Sequence, residues 1–130
     1  MEVACHNDWA PTNAVFEGDL PTGLIDFDTM RPGLRLWDLG YSAFTWLDLG
    51  DDEHTSSEQL RRLSIFAAAY DFPGCTAAQI AIFALARQEA LAASTQAHGQ
   101  VKIARWAMKA ARWTALNVVE PLSPTGYPQL

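Results

Sequence analysis

Apolar residues recur in two different rhythms along this chain, and the change falls near residue 35. Before it, Ala14-Val15-Phe16 and Gly23-Leu24-Ile25 read as short strands. They are joined by Glu17-Gly18-Asp19-Leu20-Pro21-Thr22, whose Gly, Asp and Pro form turns, so the segment predicts a β-hairpin. Beyond it the rhythm is helical. Over Arg35 to Leu49, Leu36, Gly40, Ala43 and Leu47 share one stripe and Trp37, Tyr41 and Phe44 the next, which predicts a helix buried almost all round. A second helix begins at Ser57, aligns Leu60, Leu63, Ala67 and Tyr70, and stops before Pro73-Gly74. Thr76 caps a third, alanine-rich to about His98, carrying Ile80, Phe83, Ala84, Arg87 and Leu91 and closed by Gly99. A fourth spans roughly Gln100 to Asn117, with Ile103, Trp106, Ala110 and Trp113 expected as its core stripe and Arg105, Lys109 and Arg112 beside it. The proline-rich stretch from Pro121 to Pro128 is expected to be a loosely held tail. The fold class is therefore mainly α, an α+β arrangement of one small hairpin followed by about four helices.

The hairpin lies among residues with chemistry to offer. His6-Asn7-Asp8-Trp9-Ala10-Pro11-Thr12-Asn13 places a histidine, an aspartate and an asparagine at fixed spacing, and Ile25-Asp26-Phe27-Asp28 follows. Phosphoryl transfer needs a carboxylate to accept the acceptor hydroxyl's proton and oxygen ligands to hold magnesium against the phosphates, because negative charge spreads over the transferring oxygens. Asp8, Asn13 and Asp26 fill those three places, with His6 anchoring the loop through its ring nitrogens. Antiparallel pairing would set Asn13, at the start of one strand, beside Asp26, at the end of the other. One neutral and one charged oxygen suit a hard ion that keeps several waters. Asp28 reads equally as a turn carboxylate or a second metal contact. A His-x-Asp pair alone also occurs in hydrolases, where both side chains would bind zinc or iron.

From Cys5 to Leu49, the run His6-x-Asp8-x4-Asn13, Leu24-Ile25-Asp26-Phe27-Asp28, Pro32-Gly33 and Trp37-Asp38-Leu39-Gly40 resembles, in order and spacing, the aminoglycoside phosphotransferase and choline kinase family. Asn7 stands where that family most often has glycine. The resemblance implies the C-terminal lobe of a protein-kinase-like fold, with Asp8 as catalytic base, Asn13 and Asp26 as Mg2+ ligands, and Asp38 as a structural brace for the catalytic loop. ATP or GTP would be the phosphoryl donor and a small hydroxyl-bearing molecule, such as an aminoglycoside or amino alcohol, the acceptor. Residues 1–120 would form this lobe and 121–130 a flexible tail.

A glycine-rich phosphate loop is missing from the sequence, only five residues precede His6, and Lys102 and Lys109 both fall in the fourth helix. The expectation is a lobe whose N-terminal nucleotide lobe is absent, with an exposed apolar patch that would pack on that lobe or self-associate. A catalytically silent lobe serving as a binding module or remnant is the alternative.

Composition narrows the partners. At 130 residues and 49% hydrophobic content, one domain can bury a core without metal or disulfide staples. Nine Lys and Arg against fifteen Asp and Glu, a net charge of −6, argue against nucleic acid or an anionic membrane as a bulk electrostatic partner. Cys5 and Cys75 lack metal-like spacing and read as small buried hydrophobes. No run approaches the roughly 20 apolar residues of a membrane span, and the N-terminus has no leader pattern, so a soluble, cytoplasmic protein is expected. The acidic loop Asp48-Leu49-Gly50-Asp51-Asp52-Glu53-His54 reads as a solvated loop or as a lure for an amine-bearing substrate. His54 and His98 look like surface residues.

Overall fold

The computed structural model describes residues 2–123. Strand β1 (Glu2–Cys5) leads into the histidine-bearing loop, a single 3-10 turn (Pro11–Asn13), and the hairpin strands β2 (Ala14–Glu17) and β3 (Leu20–Leu24). Strand β4 (Arg31–Leu34) then runs directly into helix α1 (Arg35–Trp46), followed by α2 (Ser56–Tyr70), α3 (Ala77–Ala97) and α4 (Val101–Thr114). The protein is thus mainly helical with two small antiparallel sheets.

The hairpin forms as expected, with Ala14 opposite Leu24 and Val15 opposite Gly23. Its turn is tighter than the anticipated Glu17–Thr22 loop: Gly18 takes φ +61° beside Asp19, and Leu20, Pro21 and Thr22 belong to β3. Pro21 is tolerated because a two-stranded ribbon consists of edges, where a missing N–H costs no ladder bond. The pairing of β1 with β4, Glu2 opposite Leu34 and Cys5 opposite Arg31, was not anticipated from the sequence. Residues 6–30 are therefore an excursion between two paired strands, and the ends of that excursion fix His6 close to the start of α1.

Helix α1 has no fully exposed residue, in keeping with its apolar stripes. It packs on α3, which lies between α1 and α4. The contact is close because Gly40 has no side chain: a Cβ there would sit 2.5 Å from the Phe83 carbonyl carbon. Leu49, Leu63 and Ile80 are fully buried at the centre, where truncation of any one to alanine costs about 2–5 kcal/mol. Thr55 and Thr76 cap α2 and α3 by accepting from the backbone N–H groups of Glu58 and Gln79. Cys5 and Cys75 are buried free thiols.

Helix α4 corrects the expected core stripe. Its buried positions are Ala104, Ala107, Ala110, Ala111 and Thr114, while Ile103 and Trp106 are exposed, Trp106 to 55%. Small residues face α3 because the two helices approach closely, which turns the bulky stripe outward. The helical path continues past Thr114 through a wider π-type stretch (Ala115–Val119) into a final turn (Glu120–Leu122). Pro121 is accommodated in the first positions of that turn, where its missing N–H has no helical partner to lose. The rest of the expected tail, residues 124–130, lies outside the described residues. Among the described residues no helix is long and apolar enough to cross a membrane.

Candidate active site

The loop after β1 is tied down atom by atom. The carboxylate of Asp38, in the first turn of α1, accepts the backbone N–H of His6 at 3.1 Å through Oδ2 and that of Asn7 at 2.8 Å through Oδ1. Asn7 takes φ +69°, a left-handed conformation that asparagine tolerates better than most residues, and its side chain donates to the Thr29 carbonyl at 2.9 Å. The Asn7 backbone thus adopts the angles that glycine would adopt freely.

His6, only 6% exposed, is engaged at both ring nitrogens. The Asp8 N–H donates to Nδ1 at 3.2 Å, and Nε2 lies 2.9 Å from the Ile25 carbonyl. A backbone N–H can only donate and a carbonyl can only accept, so the ring is the neutral tautomer carrying its proton on Nε2. With both nitrogens occupied, His6 has no lone pair for zinc or iron. Among the described residues no group of three or more His, Cys, Asp or Glu converges as a metal site.

Asp8 stands beyond this anchor. Its Oδ1 accepts the Tyr41 hydroxyl at 2.9 Å, and its Oδ2 accepts the Asn13 side-chain amide at 3.0 Å. The same Asn13 nitrogen also donates to the Asp8 carbonyl at 2.7 Å. Burial and the hydrogen bond to Asp8 push the Tyr41 phenol up to about 12, so it is a standing donor at neutral pH.

Asp26 is held by its neighbours. Ile25 donates its N–H to the Asn13 carbonyl at 3.0 Å and receives the His6 ring on its own carbonyl, while Thr29 donates its hydroxyl to the His6 carbonyl at 2.8 Å. Between those ties Asp26 is exposed and takes φ +60°, a strained conformation for a residue with a side chain. The pairing therefore brings Asn13 next to Ile25 and hence one residue from Asp26. Asp28 is exposed in the same loop. Because both acceptors on Asp8 demand a donor, the Asn13 amide nitrogen must face Asp8, which frees its Oδ1. A free amide oxygen and an exposed carboxylate are hard donors of the kind magnesium takes.

Two contributors were not singled out as site residues in the sequence. Tyr41 lies three positions after Asp38, one helical turn along, so both reach the same loop. Arg87, 80 residues from Asn7, donates to the Asn7 carbonyl at 2.8 Å and to the Trp37 carbonyl at 2.9 Å. Only the helical register of α3 hinted at its inward direction.

A cavity of about 380 Å3 opens beside Tyr41, lined by Pro11, Phe44, Asp48, Asp51 and Trp106. Trp106 stacks on Phe44 with ring centres 5.3 Å apart. The acidic loop is more ordered than a solvated loop: Leu49 and Gly50 are buried, Gln59 accepts the Gly50 N–H at 2.9 Å and donates to the Asp51 carbonyl at 2.7 Å, and Gln88 donates to the Leu49 carbonyl at 3.0 Å. His54 is half-buried, 3.7 Å from Asp48, and His98 is exposed. A larger groove of about 640 Å3 between α3 and α4 shares no lining residue with the cavity beside Tyr41, and it contains none of the residues that hold Asp8.

Comparison with curated proteins and with solved structures finds no match to either. The profile of the phosphotransferase enzyme family matches residues 1–73, more than half of the chain and the stretch that carries His6, Asp8, Asn13, Asp26 and Asp38. The chain belongs to the phosphotransferase enzyme family.

Proposed function

We propose that this chain is the C-terminal lobe of a kinase-like phosphotransferase that moves the γ-phosphoryl group of ATP or GTP to a hydroxyl of a small, amine-bearing acceptor. The observation that carries the reading is the fixed Asp8 carboxylate, with one oxygen on Tyr41 and the other on Asn13, beside an amide oxygen and the Asp26 carboxylate that remain available.

Asp8 accepts the proton of the acceptor hydroxyl as its oxygen bonds to phosphorus. Each carboxylate oxygen spends one lone pair on its donor and keeps another, so the bonds orient Asp8 without exhausting it. Asn13 Oδ1 and Asp26 would hold Mg2+, which when bound neutralises charge on the nucleotide phosphates. Asp38 keeps the loop in place by accepting two of its N–H groups. Asp48 and Asp51 supply negative charge, and the Trp106 and Phe44 rings offer faces that attract cations, which suits an aminoglycoside or an amino alcohol. Val15, Phe16, Leu20 and Leu24 of the hairpin and Ile25 and Phe27 of the loop after it expose apolar side chains, surface suited to an N-terminal lobe or to self-association. An intact Asp8, Asn13 and Asp26 set favours an active lobe over a silent one.

The test is a transfer assay with Mg2+, ATP and a panel of amine-bearing alcohols. Phosphorylated product should form, and Asp8→Asn should lower its rate by about 10²–10⁴ while nucleotide affinity holds. Product formed at an undiminished rate by Asp8→Asn would overturn the assignment of the base.

A further inference from the structure

We infer that Arg87 is a positioning residue for this site, a single guanidinium that locks the three supports of Asp8 together from outside the segment matched to the family. The inference rests on the phosphotransferase reading for its catalytic consequence, and on geometry alone for the lock itself.

Arg87 lies on α3, beyond residue 73, and each of its terminal nitrogens has a defined acceptor. Nη2 reaches the carbonyl of Asn7, the left-handed residue immediately before Asp8, at 2.8 Å. Nη1 reaches the carbonyl of Trp37, immediately before the brace Asp38, at 2.9 Å. The guanidinium carbon lies 4.8 Å from the Trp37 ring centre and 4.5 Å from that of Tyr41, the residue whose hydroxyl holds Asp8 Oδ1. One cation therefore contacts the backbone that aims Asp8, the helix turn that carries its brace, and the ring that donates to it.

The chemistry requires arginine. The planar fork addresses two separate carbonyls at once, while its faces stay available to the rings. A lysine ammonium is a point charge on a flexible stem and cannot span both carbonyls with the same geometry. Burial pushes the Arg87 guanidinium below the ordinary arginine range, and Asp38 and Asp8 oppose that shift. Among the described residues no carboxylate forms an ion pair with Arg87, so carbonyls and rings are its partners. An arginine whose sole task was structural charge pairing would have a carboxylate across from it.

The experiment compares the parent chain with Arg87→Lys, which keeps charge and bulk, and Arg87→Leu. Backbone hydrogen exchange is read at Asn7 and Asp8, whose N–H groups bond Asp38 and His6, and at slow amides of α2 and α4; transfer kinetics are read in parallel. In Arg87→Lys the Asn7 and Asp8 amides should exchange about tenfold faster with the helical amides unchanged. Its kcat should fall about tenfold at an unaltered acceptor KM. Arg87→Leu should show the same pattern, enlarged. Loop amides exchanging at the parent rate, or all slow amides accelerating together, would overturn the inference. Should the parent show no transfer at all, the phosphotransferase reading fails, and the exchange pattern alone decides whether Arg87 locks the loop.

Discussion

The side-chain amide of Asn13 donates from one nitrogen to both the carbonyl and the carboxylate of Asp8, at 2.7 and 3.0 Å. These two hydrogen bonds tie Asp8 and Asn13 into a single unit, so the proposed base and the proposed metal ligand cannot move independently. The remaining Asn13 oxygen faces away from Asp8 by elimination, because the nitrogen is committed. The spacing of five residues between them is what a turn needs to close on itself, and the 3-10 turn Pro11–Asn13 closes it.

Asp38 gives the first prediction. Its two oxygens each accept a backbone N–H of the loop, and Asp38→Asn would turn one of those acceptors into a donor facing a donor. Loss of one charge-assisted bond and exposure of an unsatisfied N–H should cost about 2–3 kcal/mol in chemical denaturation. A midpoint equal to that of the parent would show that the loop holds without its brace.

Tyr41 predicts an alkaline dependence. The ordinary phenol value is 10, whereas burial and the bond to Asp8 carry the folded value to about 12. A group with a raised folded value contributes stability that is fully present below pH 10 and lost as pH rises from about 10 to 12. Tyr41→Phe lacks that group, so the stability gap between parent and variant should be greatest at neutral pH and shrink through this window. Equilibrium unfolding of both proteins across the range checks it; a gap constant with pH would contradict the buried donor.

The sequence made the hairpin, the four helices and the spacing of His6, Asp8, Asn13 and Asp26 around that hairpin legible for a common reason. Each depends on neighbours within about twenty residues, where turn formers, caps and periodicity act. The β1–β4 pair was hidden because Arg31-Pro32-Gly33-Leu34 looks like a loop, and its partner lies some thirty residues away. Trp106 was misjudged because helical period identifies a face but not which face is inside; close approach of α4 to α3 selected the alanines. Arg87 was read as one position in a helical stripe because its partners, Asn7 and Trp37, are 80 and 50 residues distant.

That exposed tryptophan yields the next prediction. Trp106→Ala removes a surface ring stacked on Phe44, a contact of about 1 kcal/mol in stability. An amine-bearing acceptor should show a KM raised several-fold while nucleotide affinity is unchanged, because the ring lines the cavity beside Tyr41 that is proposed to take the acceptor. Steady-state kinetics with each substrate varied separately decides it. Equal losses for nucleotide and acceptor would mean that Trp106 supports the fold and does not read the acceptor.

The most direct test of the central claim, that Asn13 and Asp26 hold magnesium against a nucleotide, is a calorimetric titration of the chain with Mg2+ and ATP beside Asp26→Ala. Asp26 is exposed, so its removal should leave the fold intact, and a melting curve of each protein verifies that. The account predicts saturable binding in the parent and its loss in Asp26→Ala. Equal binding in the two folded proteins, or none in the parent, would contradict it.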